Sequence, residues 1–225
     1  MKKVVVIVAG GSGQRMGTDI PKQFLTIQGK PIFIYSIDQF REAFTDIEII
    51  LVLPNSYHDF ATERLHEFGY DQAAIQLVDG GLTRFHSVQN GLSRVPDDAV
   101  VFIHDAVRCL LSVDLIYRCY DSCITKGSTV PVIKVKDSIR RLAPDRSTHI
   151  LPREELFIVQ TPQTFLGKII KEAFKQEYQS LFTDEASVLE YTGGEVHLVE
   201  GEESNIKITF PDDLLFAEFK IKPIN

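Results

Sequence analysis

Val4-Val5-Val6-Ile7-Val8-Ala9-Gly10-Gly11-Ser12-Gly13 decides how the rest of the chain is read. Five β-branched residues in a row suit a strand buried on both faces, because they are stiff at χ1 and pack well on a pleated surface. The glycines stop that strand at once. A strand sealed on both sides needs helices on both sides, and the sequence supplies them. Pro31 opens an amphipathic stretch to about Phe44, with Ile32, Tyr35, Phe40 and Phe44 near helical spacing. Ile47 to Leu53 reads as a second buried strand and Tyr57 to Phe68 as its helix. Ile75 to Val78 is a third strand, followed by Gly80-Gly81 and a helix to about Arg94. Val100 to Ile103 is a fourth, with Val113 to Ile124 its helix. This alternation predicts an α/β fold, a Rossmann-like three-layer sandwich around a mainly parallel sheet. Ligands bind such sheets beyond the carboxyl ends of the strands. Both glycine-rich turns and Asp105 follow strands directly, so they are predicted to converge on one mouth.

After Thr129-Val130-Pro131 the pattern changes. Residues 132–158 alternate short β-like runs, Val132 to Val135 and Ile139 to Leu142 among them, with a polar turn at Pro144-Asp145-Arg146-Ser147. The segment reads as a β-hairpin, too apolar for a loose loop. A lone hairpin is marginal in water, so this one is predicted to pack against something, such as a second subunit. Helical patterns return over Phe165 to Tyr178 and Glu185 to Tyr191. A strand near Val196 to Val199, the run Ile206-Lys207-Ile208 and a helix after Pro211 complete a single domain, residues 1–225, without repeats.

Composition narrows the function classes. With 44% hydrophobic and 24% charged residues in 225, the chain reads as an ordinary soluble globular protein. A formal charge of -7 argues against coating nucleic acid, whose backbone attracts basic surfaces. Local cations can still bind a small anion. Cys109, Cys119 and Cys123, an odd and sparse set, suit a reducing compartment better than a disulfide framework. Cys119 and Cys123 could share a helix face, but no second pair of cysteines or histidines completes a zinc site. No stretch reaches the ~18 to 20 apolar residues that span a bilayer. Met1-Lys2-Lys3 and the apolar run behind it are too short for a signal peptide and end in glycines. A cytoplasmic protein is predicted.

The first candidate for chemistry is Ala9-Gly10-Gly11-Ser12-Gly13-Gln14-Arg15-Met16-Gly17. Glycines permit positive φ and present bare N–H groups to phosphate oxygens. The Gly-Lys-Ser/Thr ending of a P-loop is absent, and the spacing is not that of a dinucleotide fingerprint. On its own the turn leaves a purely structural role open. Arg15, and Lys22 in Pro21-Lys22-Gln23, add the two cations a triphosphate would need, although both could be solvated surface charges.

Further runs follow in order: Asp79-Gly80-Gly81 with Arg84 and Ser87-Val88; His104-Asp105-Ala106-Val107-Arg108; Thr161-Pro162-Gln163; Thr183-Asp184-Glu185-Ala186-Ser187; and Asn205-Ile206-Lys207-Ile208-Thr209. With the glycine loop they resemble the 2-C-methyl-D-erythritol 4-phosphate cytidylyltransferase family of sugar-phosphate nucleotidyltransferases, from about residue 4 to about residue 220. The resemblance implies a GT-A-like nucleotidyltransferase domain. Its reaction transfers CMP from CTP to 2-C-methyl-D-erythritol 4-phosphate and releases pyrophosphate. Ala9, Gly10, Gly11, Gly81 and Ser87 would line the cytosine and ribose pocket, and Ala106 would also bind the nucleotide. Gly13, Arg15 and Lys22 would hold the triphosphate, and Asp105 would ligate Mg²⁺. Read without the family, Asp105 is a helix N-cap. Arg108, Thr161, Thr183 and Lys207, with Asp105, would face the acceptor or its reacting phosphate. Arg15, Lys22, Lys207 and Arg153 would carry catalysis.

The resemblance also implies a homodimer in which the 132–158 arm is exchanged and lends Ser138 and Arg153 to the partner's site. Ser138 stands where the family usually has threonine, which keeps the hydroxyl. In the family's His-Asp-Ala-Ala-Arg-Pro motif, Val107 replaces alanine and Cys109 replaces proline, which loosens the turn around Arg108. His104 invites a role as general base but reads better as a core-edge histidine ending a strand. Because the similarity runs to the end of the chain, no fusion to a following pathway enzyme is expected. Two alternatives stay open: the same chemistry on ribitol 5-phosphate, and a non-catalytic nucleotide-binding domain of the same fold.

Overall fold

Lys2–Val8 forms β1, the strand on which the molecule is built, and it is paired on both edges in a computed structural model that describes residues 1–11, 20–71 and 74–221. Val4 to Ile7 are wholly buried, as a β-branched run covered on two faces requires. A minute hairpin, β2 (Thr26–Ile27) and β3 (Lys30–Pro31), leads into α1 (Ile32–Ala43). Next come β4 (Glu48–Leu53), α2 (His58–Glu67), β5 (Ile75–Asp79), α3 (Arg84–Leu92), β6 (Ala99–Asp105) and α4 (Val113–Lys126). Thr83 caps α3 and Ser112 caps α4, each hydroxyl accepting a backbone N–H of the first turn. Gly127, at φ 87°, closes α4 in the left-handed conformation that glycine adopts without steric cost.

The second half adds β7 (Ser128–Lys134), β8 (Ile139–Leu142), β9 (Thr148–Leu151), β10 (Phe157–Val159), β11 (Gln163–Leu166), α5 (Gly167–Ala173), α6 (Glu185–Tyr191), β12 (Leu198–Glu200) and α7 (Pro211–Lys220). The main sheet runs in the order β10-β7-β11-β6-β1-β4-β5, with β12 also paired to β7. β5, β4, β1 and β6 are mutually parallel, and β11 is antiparallel to both β6 and β7.

Alternation along the strands divides the core. Val5, Ile7, Ile49, Leu51 and Phe102 face α1, α2 and α4; Val4, Val6, Ile50, Val52, Val101 and Ile103 face α3, α5 and α6. Each buried Val, Ile or Phe contributes roughly 1.5–3 kcal/mol relative to exposure. The result is a three-layer α/β sandwich.

The structure corrects the expected second half at three points. Phe165 and Leu166 do not open a long helix to Tyr178: they lie in β11, pairing with Val101 and Val100 of β6, and α5 begins only at Gly167. Val132 to Lys134 are not a free hairpin strand but the end of β7 in the main sheet, paired with β10. Within residues 132–158, β8 and β9 form a two-stranded sheet of their own, closed by Ala143 N–H to Ser147 O at 2.9 Å. Residues 206–208 are not a strand; Ile208 N–H reaches Val107 O at 3.0 Å and pins this stretch beside the end of β6.

From β1 the sheet continues to β4 and β5 on one side, while β6 lies on its other side. The carboxyl ends of β1 and β6 therefore flank a point where strand order reverses, the place where open α/β sheets bind ligands.

Candidate active site

Val8 and Asp105 are partners in the β1–β6 register, so the glycine loop and Asp105 leave the sheet at one level. Between them opens a cleft of about 540 Å³ lined by Ala9, Gly10, Gly11, Lys22, Gln23, Gly81, Leu82, Thr83, Arg84, Ser87, Asp105, Val107, Lys207 and Thr209, with Val8 behind. The glycine-rich turns and Asp105 thus share one mouth. Gly13 and Arg15 lie outside the described residues.

Each wall is held by a local bond. Ala9 N–H donates to Val52 O at 2.7 Å, continuing the sheet past the end of β1. Gln23, almost wholly buried, donates its amide to Ala9 O at 2.6 Å and Gly11 O at 3.0 Å. Those two carbonyls are thereby satisfied within the protein. Opposite, Gly80 N–H reaches Leu53 O at 2.9 Å, and Gly81 N–H donates to Ser87 Oγ at 3.0 Å. A Cβ on Gly81 would lie 2.3 Å from His86 Cβ, which leaves no room for any larger residue there. A Cβ on Gly10 would sit 3.2 Å from Ser87 Oγ, so the two walls nearly touch. Bare backbone and one hydroxyl face this corner, and Leu82, 97% exposed, stands at its rim.

Asp105 forms the floor. It ends β6 and caps no helix, which removes the N-cap reading; Ser112 performs that function for α4. Its Oδ1 accepts from Arg84 Nε at 3.0 Å; its Oδ2 lies 2.9 Å from Lys207 Nζ and 3.7 Å from Arg108 Nε. Burial alone would raise this carboxyl, but Arg84, Lys207 and Arg108 outweigh it and hold it well below the usual carboxylate range. Arg84 also gives both terminal nitrogens to the fully buried Glu185: Nη1 to Oε1, and Nη2 to Oε2 at 3.2 Å. Lys22 Nζ donates to Ile208 O at 2.7 Å, which seats it beside the stretch that carries Lys207.

The other expected site residues lie outside the lining. Ala106 is buried behind the loop, its N–H on Val8 O at 3.1 Å. Arg108 turns back into the protein, donating to Asn205 O at 2.8 Å and Val159 O at 3.3 Å. Thr161 is buried and accepts from Asp105 N–H at 3.1 Å, so it supports the floor from beneath. Thr183 is exposed at the start of α6, where Asp184 rather than Thr183 is the cap. Ser138 is exposed, and Arg153 borders a second cavity of about 940 Å³ beside β7 and β12, donating to Lys136 O at 2.9 Å. His104 is wholly buried, packed edge-on against Phe40 and lowered to about 3 by burial. It has no access to the cleft. Cys109, Cys119 and Cys123 are buried free thiols, each pushed up to about 12 by burial. Gln23, Arg84 and Glu185 stand inside the motifs, but no local spacing marks what they hold: Arg84 meets Glu185 across 101 positions.

The donor set limits what metal the site would take. Among the described residues no group of three His, Cys, Asp or Glu side chains is placed to hold a metal ion. Among the described residues Asp105 is the one carboxylate lining the cleft. A single ionised carboxylate fits Mg²⁺, which takes its remaining oxygens from substrate phosphates and water.

The profile "IspD: 2-C-methyl-D-erythritol 4-phosphate cytidylyltransferase" matches residues 3–223. The chain belongs to this family. A 2-C-methyl-D-erythritol 4-phosphate cytidylyltransferase of Bacteroides thetaiotaomicron is 44% identical over 214 residues, covering 95% of this chain and 97% of the relative. The 4-diphosphocytidyl-2C-methyl-D-erythritol synthase structure from Anaerococcus prevotii superposes with a TM-score of 0.82 at 27% identity, covering 97% of this chain and 98% of that one. The bifunctional IspDF of Campylobacter jejuni gives a TM-score of 0.81 at 26% identity; 96% of this chain matches 54% of that longer one. The fold is therefore the α/β nucleotidyltransferase fold of the IspD family. No helix among the described residues is long and apolar enough to cross a membrane.

Proposed function

We propose that this chain transfers CMP from CTP to 2-C-methyl-D-erythritol 4-phosphate, giving 4-diphosphocytidyl-2-C-methyl-D-erythritol and pyrophosphate, in non-mevalonate isoprenoid biosynthesis. The observation that carries the reading is the cleft floor. An ionised Asp105 lies between Arg84 and Lys207, directly opposite a glycine loop flanked by Lys22. The family membership and the names of its relatives support the same acceptor.

In this reading the acceptor's phosphate oxygen attacks the α-phosphorus of CTP in line, and the bond to the β-phosphate oxygen breaks. The attacking group is already an anion, so no general base is needed, in keeping with a buried His104. Catalysis is then positioning and charge stabilisation. Ala9, Gly10, Gly11, Gly81 and Ser87 seat cytosine and ribose, a corner whose bare backbone and close walls suit a pyrimidine. Lys22, with Gly13 and Arg15, holds the triphosphate and the leaving pyrophosphate. Lys207 and Lys22 stabilise the α-phosphate. Asp105 would hold Mg²⁺, which supplies neutralising charge to the phosphates. Arg108, Thr161 and Thr183 serve the acceptor side, Arg108 and Thr161 through the floor they support. Ser138 and Arg153, remote from this cleft within one chain, would act across a homodimer formed through the 132–158 arm. The cytoplasm suits its soluble substrates and its buried, reduced thiols.

The test is pyrophosphate release from CTP and Mg²⁺ with 2-C-methyl-D-erythritol 4-phosphate, run beside ribitol 5-phosphate. Release with the former alone is expected. Release with ribitol 5-phosphate alone would replace the acceptor, and silence with both from a folded protein that binds CTP would replace the reaction.

A further inference from the structure

Glu185 is fully buried, and burying a carboxylate is costly unless a partner with good geometry compensates. Its partner is the fork of Arg84, met by both oxygens. A buried pair of this kind is weak evidence for stability, since well-packed apolar residues often serve as well. Its geometry is more telling. Arg84 spends both terminal nitrogens on Glu185 and has only Nε left for Asp105 Oδ1, at 3.0 Å. Asp105 Oδ2 is thereby left to Lys207, at 2.9 Å on the cleft side, and to the more distant Arg108 Nε, at 3.7 Å. Without Glu185 the same fork is free to swing onto Asp105 and take both oxygens, the arrangement Arg favours with a lone carboxylate.

Glu185 is itself held. Gln163, wholly buried on β11, donates to Asp184 Oδ2 at 2.9 Å and accepts from Ala186 N–H at 2.8 Å. The residues on either side of Glu185 are therefore tied to the sheet. Arg84 is the first residue of α3, directly after the turn that carries Gly81. One guanidinium joins that turn, the cleft floor and α6.

We propose that Glu185 is a positioning residue: by occupying the fork of Arg84, it fixes the direction in which Asp105 presents its carboxylate to the cleft. The inference rests on the reading of the cleft given above, in which Asp105 works in the reaction.

The variant is Glu185→Gln, with Val188→Ala as the control. Val188 is a buried apolar residue of the same helix that borders Arg84 and Glu185 but offers neither a hydrogen bond, so its truncation loosens α6 and the packing around the pair while leaving the bonds themselves in place. Glu185→Gln is expected to lower kcat by about 100-fold, the size of loss a small misplacement causes, with KM for CTP nearly unchanged. Val188→Ala is expected to keep kcat at temperatures where it is folded. Calorimetry gives a second readout: the gain in CTP affinity on adding Mg²⁺ should be present in the wild type and lost in Glu185→Gln, with Mg²⁺-free CTP affinity unaltered. Should Glu185→Gln fail to fold, Glu185→Asp keeps the charge but withdraws it by one methylene, and the same losses are expected. A wild-type kcat in the Glu185 variants, or a loss no larger than that of Val188→Ala, overturns the proposal. A wild type without pyrophosphate release overturns the reaction instead. The affinity gain then still decides: its loss in Glu185→Gln supports the positioning role, and its survival there, or its absence from the wild type, overturns it.

Discussion

Lys22 donates its ammonium hydrogen to the carbonyl oxygen of Ile208, 2.7 Å away and 186 positions further along the chain. The contact joins the segment after the glycine loop to the stretch that carries Lys207, so two cations of the cleft are placed by one bond. Lys22→Ala is expected to reduce kcat by at least about 100-fold, the scale seen when one preorganised electrostatic donor is removed. The fold should survive, as monitored by circular dichroism beside a pyrophosphate-release assay. An unchanged kcat would remove Lys22 from the catalytic set.

Two glycines separate room for a ligand from room for the fold. Among the described residues nothing lies within 4 Å of a Cβ on Gly11, yet Gly11 lines the cleft. Gly11→Ala should therefore leave the melting temperature nearly unchanged and weaken CTP binding, read by calorimetry. On Gly81 the same methyl meets His86 Cβ at 2.3 Å and backbone at 2.8 Å, so Gly81→Ala should cost stability as well as binding. Equal melting temperatures for the two variants would contradict the packing described here.

His104 gives a pH dependence of stability with a definite sign. Its folded pKa, lowered to about 3 by burial, lies below the ordinary histidine value near 6.5. The unfolded chain therefore binds the extra proton between those values, and stability falls as pH falls through that window. The slope approaches about 1.4 kcal/mol per pH unit at most. Asp105, held below the carboxylate range, adds loss in the same direction at lower pH. Urea titrations from pH 7 to pH 4 should show the decline, and His104→Gln should flatten its upper part. Activity, by contrast, should show no inflection assignable to His104 near neutrality.

Mg²⁺ should not bind the free protein. Arg84, Lys207 and Arg108 already crowd Asp105, and like charges repel a further cation until the triphosphate arrives. Titration of Mg²⁺ alone is expected to give no calorimetric signal, whereas Mg²⁺ added with CTP should raise CTP affinity. Saturable Mg²⁺ binding without nucleotide would show that this charge argument fails.

The legible parts of this sequence were those in which local pattern and tertiary position agree. β1, β4 and β6 are continuous apolar runs because both faces of the sheet are covered, and the glycines after β1 break a pattern that nothing else interrupts. β11 was hidden for the opposite reason. Phe165 and Leu166 merge with Ile169 and Ile170 into an apparent helical pattern, and only pairing with β6 and β7 makes them a strand. Lys22, Asp105 and Lys207 could be named because the family motif marks them, and the cleft brings all three together. The bond between Arg84 and Glu185 spans 101 positions and carries no periodicity, so no local rule exposes it. The supporting place of Thr161 beneath Asp105 is equally non-local, at 56 positions.

The bond that sets Lys22 beside the stretch carrying Lys207, both facing one cleft, has a kinetic consequence. The charges that seat a triphosphate keep their grip on whatever anion remains when the reaction is over. Pyrophosphate, small and highly charged, is the species they would retain longest. Turnover in such a cleft is then paced by product escape, and a scavenger that destroys pyrophosphate would both pull the equilibrium forward and return the site to use.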